Sequence, residues 1–231
     1  MSINYKKTDR GNRLNPKRTH SRFWVLTSLR NTLIKIVNEY VTDGLNILDF
    51  GCGNKPYEVL FADKKLKYIG ADLNGNELAE IIIQPDGTLP IDDSTFNFVI
   101  SSQVLEHVED PTKYLSEAFR ILKQNGILIL STHGFWQYHP DPKDYWRWTS
   151  EGLKKIIKTA GFNIEDCYSV MSLPSISLQF WQDSTLNKVP RIFRKLYIYI
   201  IQLLMEIIDK KNDGKFSENP AVFVFVAKKN K

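Results

Sequence analysis

The stretch Leu45-Asn46-Ile47-Leu48-Asp49-Phe50-Gly51-Cys52-Gly53-Asn54 decides the fold. Its first six residues read as a short buried strand, and the glycines behind them as a tight turn. Glycine at such a turn lets the backbone approach a ligand with no Cβ in the way. The Asp49 carboxylate beside the turn can accept hydrogen bonds from a cationic amine. The spacing lacks the full G-x-G-x-x-G of a dinucleotide site, so the turn alone is equally a plain strand-to-helix connection.

Outward from this point, strands alternate with helices. Upstream, residues 21–42 place Leu26, Leu29, Leu33, Ile36, Val37 and Tyr40 at helical spacing, with Ser21 as the expected cap and Gly44 as the stop. Downstream, 67–72 reads as a second strand, 79–84 as a weaker third and 96–101 as a fourth, after a short helix at 57–62. Asp110 and Pro111 then open a helix whose apolar face is Tyr114, Leu115, Ala118, Phe119 and Leu122. A fifth strand is expected at 127–131 and a helix after Thr149 or Ser150, ended by Gly161. Further strands are expected at 162–170 and 221–227, with 175–212 helical in its second half. This order predicts an α/β fold, Rossmann-like, with a seven-stranded mostly parallel sheet, one antiparallel strand and helices on both faces. Ligands of such sheets bind beyond the carboxyl ends of the strands. The chemistry therefore belongs in loops 49–57, 72–76, 84–90, 101–108 and 131–149. Asp72 ends the second strand roughly 20 residues past the glycine turn, where an acid can accept hydrogen bonds from ribose hydroxyls or simply cap a turn.

Five segments in order resemble the class I S-adenosylmethionine (SAM)-dependent methyltransferases. They are 47–53, the strand Tyr68–Asp72, the stretch from Asp86 through Leu89-Pro90 to Val99, Val104-Leu105-Glu106-His107-Val108, and Arg120–Gly126. Together they cover about residues 45–165. Asn97 stands where the family often has Asp, and Gln124-Asn125-Gly126 replaces its Pro-Gly-Gly; both lie away from the expected pocket. The resemblance implies SAM as cofactor. Asp49, Gly51 and Gly53 would line its methionine moiety, and Asp72 would hold the ribose with Leu73 beside the adenine. Asp86 and Gly87 would approach the adenine edge, and Ser102 and Gln103 would border the methionine end near the methyl.

The loop 132–149 leaves the fifth strand with two histidines, two aspartates, an arginine and several aromatics. It suits a lid or acceptor platform, or else an Ω-loop packed by its own rings. His133, nearest the strand end, is the first candidate for a catalytic base, and His139 the second. Trp136, Tyr145 and Trp146 are candidates for stacking on a sugar ring, and Arg147 either pairs with Asp144 or clamps an anionic acceptor. The segment from His139 to Thr149 also resembles a subgroup linked to polysaccharide and glycolipid synthesis. An oxygen of a small or glycan-like acceptor is the expected methyl target. A non-catalytic SAM-binding module is the alternative, and a nucleic-acid substrate is disfavoured.

The net charge of +5 is uneven: residues 1–22 hold seven Lys and Arg against Asp9 alone, so the rest of the chain is near neutral. Residues 1–20 read as a basic flexible tail before a domain at 21–231. The two cysteines, Cys52 and Cys167, make neither a disulfide framework nor a zinc site by themselves, and no metal site is expected. No signal-type apolar segment opens the chain, so a cytoplasmic setting is expected. Along 193–208 a narrow polar stripe of Lys195, Gln202, Glu206 and Asp209 interrupts an otherwise apolar helix. Burial in the domain, a lid, a homodimer interface or shallow contact with the inner face of a membrane would each cover it.

Overall fold

The computed structural model describes residues 13–141, 143–211 and 216–230. Its helices are α1 (Phe23–Tyr40), α2 (Pro111–Ile121), α3 (Ser150–Thr159), α4 (Leu173–Thr185) and α5 (Arg194–Lys211). Its strands are β1 (Asn46–Phe50), β2 (Lys67–Asp72), β3 (Ile81–Ile82), β4 (Phe96–Ser102), β5 (Leu122–His133), β6 (Phe162–Val170) and β7 (Val222–Lys229).

These strands form one seven-stranded sheet in the order β3-β2-β1-β4-β5-β7-β6. All neighbours are parallel except β7, which runs antiparallel to both β5 and β6. The fold is the expected one. The chain steps outward from β1 to β2 and β3, then returns to lay β4 on the other side of β1. That reversal opens a crevice beyond the carboxyl ends of β1 and β4.

Strand alternation splits the core into two layers. Ile47, Phe98, Ile100, Val222, Val224 and Val226 face a cluster that includes Leu29, Leu33, Ile36 and Val37 of α1. Leu48, Val99, Leu128, Phe223 and Phe225 face Leu115, Ala118 and Ile121 of α2 and Leu153 and Ile157 of α3. Burying one such Leu, Ile or Phe contributes about 1.5–3 kcal/mol, so both faces of β1, β4 and β7 are anchored and their registers are fixed.

The caps of α2 and α3 form as the sequence implies. Asp110 accepts from the Lys113 N–H at 3.0 Å with Pro111 in the first turn, and Thr149 accepts from Gly152 N–H at 3.1 Å. The start of α1 differs. Arg22 occupies the cap position without a side-chain bond, and Ser21 does not cap the helix. Instead Gln202 Oε1 accepts from the Trp24 N–H at 2.8 Å, so a residue of α5 satisfies an orphan donor of α1. The Ser21 carbonyl accepts from the side-chain amides of Gln179, Gln182 and Gln202.

Other boundaries move, and β5 begins at Leu122, a residue expected on the face of α2. The helical insertion is helical in both halves, α4 and α5, with short turns between them and Pro190 in the gap; residue 212 lies outside the described residues. The expected loop loses Thr132 and His133 to β5. The expected tail 1–20 divides. Residues 1–12 lie outside the described part, whereas Leu14 packs into the core and Arg18 pairs with Glu206 at 2.7 Å.

Of the polar stripe of α5, Gln202, Glu206 and Asp209 turn inward while Lys195 stays exposed. Gln202 and Glu206 are buried, and Asp209 accepts from the Trp24 indole N–H and from Ser172 and Ser175. Leu196, Tyr199, Ile200, Leu204 and Ile207 are exposed in their place. No described helix is long and apolar enough to cross a membrane.

Candidate active site

The crevice above β1 and β4 is a cavity of about 1680 Å³. Its walls include every candidate for cofactor binding and for the base: Asp49, Gly51, Gly53, Asp72, Leu73, Asp86, Gly87, Ser102, Gln103, His133 and His139. A single small ligand ordinarily fills about 300–1,000 Å³, so this volume has room for two.

The floor is the glycine turn. Gly51 and Gly53 sit at φ 82° and 51°, the left-handed region that glycine enters without strain. Gly51 is doubly constrained, because a Cβ there would lie 2.6 Å from Val104 Cγ2. The amides of Gly51 and Cys52 both donate to the Ala71 carbonyl, which ties the turn to the end of β2. Two buried carboxylates flank it. Asp49 accepts from the Tyr68 hydroxyl at 2.7 Å, and burial pushes its carboxyl up to about 7 against that hydrogen bond. Asp72 accepts from Gly53 N–H at 2.8 Å, from the Asn76 side-chain amide at 2.7 Å and from Leu73 N–H at 2.7 Å. The acid that ends β2 therefore fixes the turn after β1.

Toward one rim, Leu73 is 44% exposed and offers an apolar surface at the mouth. Asp86 caps its own turn through Thr88 and faces Lys113 at 3.5 Å, while Gly87 holds φ 85°. On the inner wall, Ser102 Oγ lies 2.9 Å from Ser131 Oγ. Gln103 holds a strained φ of 59°, its amide N–H donates to the Ser131 carbonyl and its side-chain amide donates to Ser131 Oγ.

The opposite corner gathers histidines around a buried acid. His133 ends β5, stacks on Trp136 at 5.1 Å and meets the edge of His139 at 4.9 Å. Its Nδ1 lies 3.4 Å from the Ala221 carbonyl and its Nε2 lies 3.5 Å from Glu106 Oε1. Glu106 is fully buried; Thr132 Oγ1 donates to its Oε2 at 2.8 Å, while Oε1 has no hydrogen-bond partner. Burial pushes the Glu106 carboxyl up and holds the His133 imidazole well below the usual histidine range. Burial also lowers His139. His107 meets His139 at 5.0 Å, so it belongs to this corner besides its place in a helical turn.

Arg147 takes the pairing role. It grips Asp144 with both terminal nitrogens at 2.6 Å and donates to the carbonyls of Trp136 and Gln137. This fork staples the loop shut beneath the histidines. Of the three aromatic candidates only Trp136 lines the cavity, where the Arg22 guanidinium lies over its ring. Trp146 stacks on Trp148 and donates to the Val108 carbonyl, and Tyr145 lies outside the cavity lining. Tyr138, 74% exposed, takes a place at the mouth. Sequence reasoning missed Glu106, Tyr68 and Asn76. Glu106 stood in a quoted motif, but nothing in the spacing pairs it with the end of β5.

A glycine turn between two buried acids, set at the switch point of a Rossmann-like sheet, defines the class I methyltransferase architecture. A family model described as a methyltransferase domain matches residues 20–181, and the chain belongs to that family. By fold and family it carries a methyltransferase domain. Similar proteins include one named a probable S-adenosylmethionine-dependent methyltransferase from Mycolicibacterium smegmatis, 28% identical over 142 residues, 55% of either chain. Another is a ubiquinone biosynthesis O-methyltransferase from a Ruegeria species, 34% identical over 116 residues, 44% of either chain. The chain spans about half the length of the curated relatives it matches. Among solved structures, a phosphoethanolamine N-methyltransferase of Haemonchus contortus in complex with SAM has a TM-score of 0.57 at 16% identity, covering 99% of this chain and 60% of that one. A SAM-dependent methyltransferase of Archaeoglobus fulgidus has a TM-score of 0.53 at 18% identity, covering 95% and 97%. At these identities the likeness is one of fold.

Proposed function

We propose that this protein transfers the methyl group of SAM to an oxygen of a small or glycan-like acceptor. The observation that carries the reading is the pair Asp49 and Asp72, two buried carboxylates on adjacent parallel strands that face one cavity across a glycine turn. Such a donor set fits a ligand with an ammonium at one end and a ribose diol at the other. The bound cofactor supplies an electrophilic methyl on a sulfonium, displaced in line.

The chain's own residues do the rest. Asp49 takes the ammonium, over the bare backbone of Gly51 and Gly53. Asp72 takes the ribose hydroxyls, Leu73 packs beside the base, and Asp86 with Gly87 borders its edge. Ser102 and Gln103 flank the methyl end. The corner of His133 and His139 receives the acceptor, orients its hydroxyl and accepts its proton. Holding the reacting atoms in line is worth about 7–11 kcal/mol, and a placed base about 10²–10⁴ in rate, so alignment is the larger contribution. Tyr138, exposed at the mouth, suits the face of a sugar ring, whereas the Trp136 ring is already taken by His133 and Arg22. The name of the Ruegeria relative, an O-methyltransferase, supports oxygen as the acceptor atom. A nucleic-acid acceptor has only the basic N-terminal residues behind it, and Arg18 and Arg22 are engaged by Glu206 and Asp183.

The same reading places the protein in the cytoplasm, against the inner face of a membrane. The exposed apolar residues Ile192, Phe193, Leu196 and Ile200 stand beside exposed Lys188, Arg191 and Lys195, which suits an anionic lipid surface better than a second copy of the same basic patch.

The test is incubation of the full chain with cell extract and methyl-labelled SAM, read by mass spectrometry. Label in a hydroxylated small-molecule or glycan fraction supports the reading. SAM binding with no label in any fraction favours a non-catalytic SAM-binding module instead.

A further inference from the structure

We propose that Glu106, His133 and His139 form a site for a divalent transition cation, zinc by the character of its donors, at the acceptor end of the cavity. Each of the three offers one ligand atom, and these atoms lie within 4.8 Å of one another. They come from three separate segments: the turn after β4, the last residue of β5 and the loop behind it.

The geometry suits a metal better than a hydrogen bond. His133 Nε2 and Glu106 Oε1 are 3.5 Å apart, beyond good hydrogen-bond reach. Two ligands held at ~2.0–2.1 Å from a tetrahedral zinc stand about 3.4 Å from each other. The outer contacts match as well. A metal-bound histidine ordinarily turns its other nitrogen to a carbonyl, and a bound carboxylate is itself hydrogen-bonded. His133 Nδ1 faces the Ala221 carbonyl at 3.4 Å, which leaves the Nε2 lone pair toward Glu106. Glu106 Oε2 is held by the Thr132 hydroxyl at 2.8 Å.

An independent observation asks for a cation. Glu106 Oε1 is buried without a partner, and a carboxylate in that state is strongly disfavoured unless a proton or a positive charge meets it. Arg147 makes no bond to it: both its terminal nitrogens are committed to Asp144, and its charge reaches Glu106 only at longer range. Two imidazoles and one carboxylate favour zinc, manganese or iron over calcium or magnesium, which take oxygen ligands. A neighbouring trio of His107, His139 and Asp144 shares His139, but its Asp144 is spent on Arg147 and its His107 is engaged with the Lys143 carbonyl.

Three protein ligands leave a fourth position for an acceptor oxygen, whose pKa a bound zinc lowers so that its proton leaves to solvent; with metal bound, His133 and His139 act on the acceptor through the metal and no longer as a free base. That role rests on the methyl-transfer reading above; the binding does not. Tag-free full chain, stripped with a chelator, is titrated with Co²⁺ and followed by visible absorption, then with Zn²⁺ by calorimetry. Far-UV circular dichroism checks folding on every sample, and SAM binding is measured beside it. The expected result is one Co²⁺ per chain with four-coordinate absorption, displaced by Zn²⁺. Glu106→Gln and His139→Ala should each weaken it at least tenfold with SAM affinity unchanged. His139 is half-buried, so its variant keeps the test open if Glu106→Gln fails to fold. A wild type that binds SAM but neither metal overturns the proposal, as does metal binding that survives both substitutions. Metal binding without SAM binding supports the site and removes the methyl-transfer reading.

Discussion

Lowering the pH should release SAM, and Asp49 sets the size of the effect. Burial holds its carboxyl at about 7 instead of the ordinary 3.8. It is therefore about three-quarters ionised at pH 7.5 and about 3% ionised at pH 5.5. The α-amino group that it faces under the proposed reading has an ordinary pKa of about 8, so it is about three-quarters cationic at pH 7.5 and fully so at pH 5.5. If only the ammonium binds and only to the carboxylate, affinity falls about 19-fold between the two pH values, about 1.7 kcal/mol. The unliganded fold carries the opposite dependence. The folded carboxyl keeps its proton up to about 7 while the unfolded one releases it near 3.8, so Asp49 favours folding at low pH and that contribution is lost as pH rises to about 7. Calorimetry at constant ionic strength measures the affinity. Two controls isolate the contact: Asp49→Asn should bind weakly at both pH values, and 5′-methylthioadenosine, which lacks the amino-acid end, should bind with no pH dependence. A SAM affinity constant within twofold from pH 7.5 to 5.5 would refute the reasoning, as would an equal fall for the truncated ligand.

Asp72→Ala should weaken SAM binding by about 1.5–3 kcal/mol per lost bond to the charged group, read by calorimetry; unchanged affinity would move the ribose elsewhere. His133→Ala should lower turnover on a labelled acceptor while SAM affinity stays within twofold; an unchanged rate would relieve His133 of its role. Gly51→Ala should cost about 2–4 kcal/mol in denaturant melts, from a positive φ and the contact with Val104 together, and a neutral result would contradict the described turn. Leu196→Asp with Ile200→Asp should abolish sedimentation with anionic phosphatidylserine vesicles and leave SAM binding intact; equal sedimentation would exclude this face as the contact.

Much of the sheet was legible because buried strands announce themselves. Phe96 to Ser101 and Ala221 to Ala227 are nearly unbroken apolar runs, as strands covered on both faces must be. Asp110-Pro111 and Thr149 were readable because a cap bonds within three residues of itself. Contacts between distant residues were not readable. The Tyr68 hydroxyl reaches Asp49 only because β1 and β2 pair in parallel, and Glu106 meets His133 only because β4 and β5 do. Ser21 looked like a cap, and the amides of α4 and α5 that supplant it lie far along the chain. The glycine-turn end of the cavity was thus visible in local motifs, whereas the pairing within the histidine corner needed the fold.

Helix α5 buries Gln202 and Glu206 among Ile198, Ile201 and Met205 and leaves five other apolar side chains exposed, and this bears on how the sequence tolerates change. Its seat is fixed by directional amide bonds from Gln202, which are satisfied at one angle of rotation only. A saturation scan should therefore invert the usual rule, accepting polar replacements at Leu196, Ile200 and Leu204 while rejecting even leucine at Gln202.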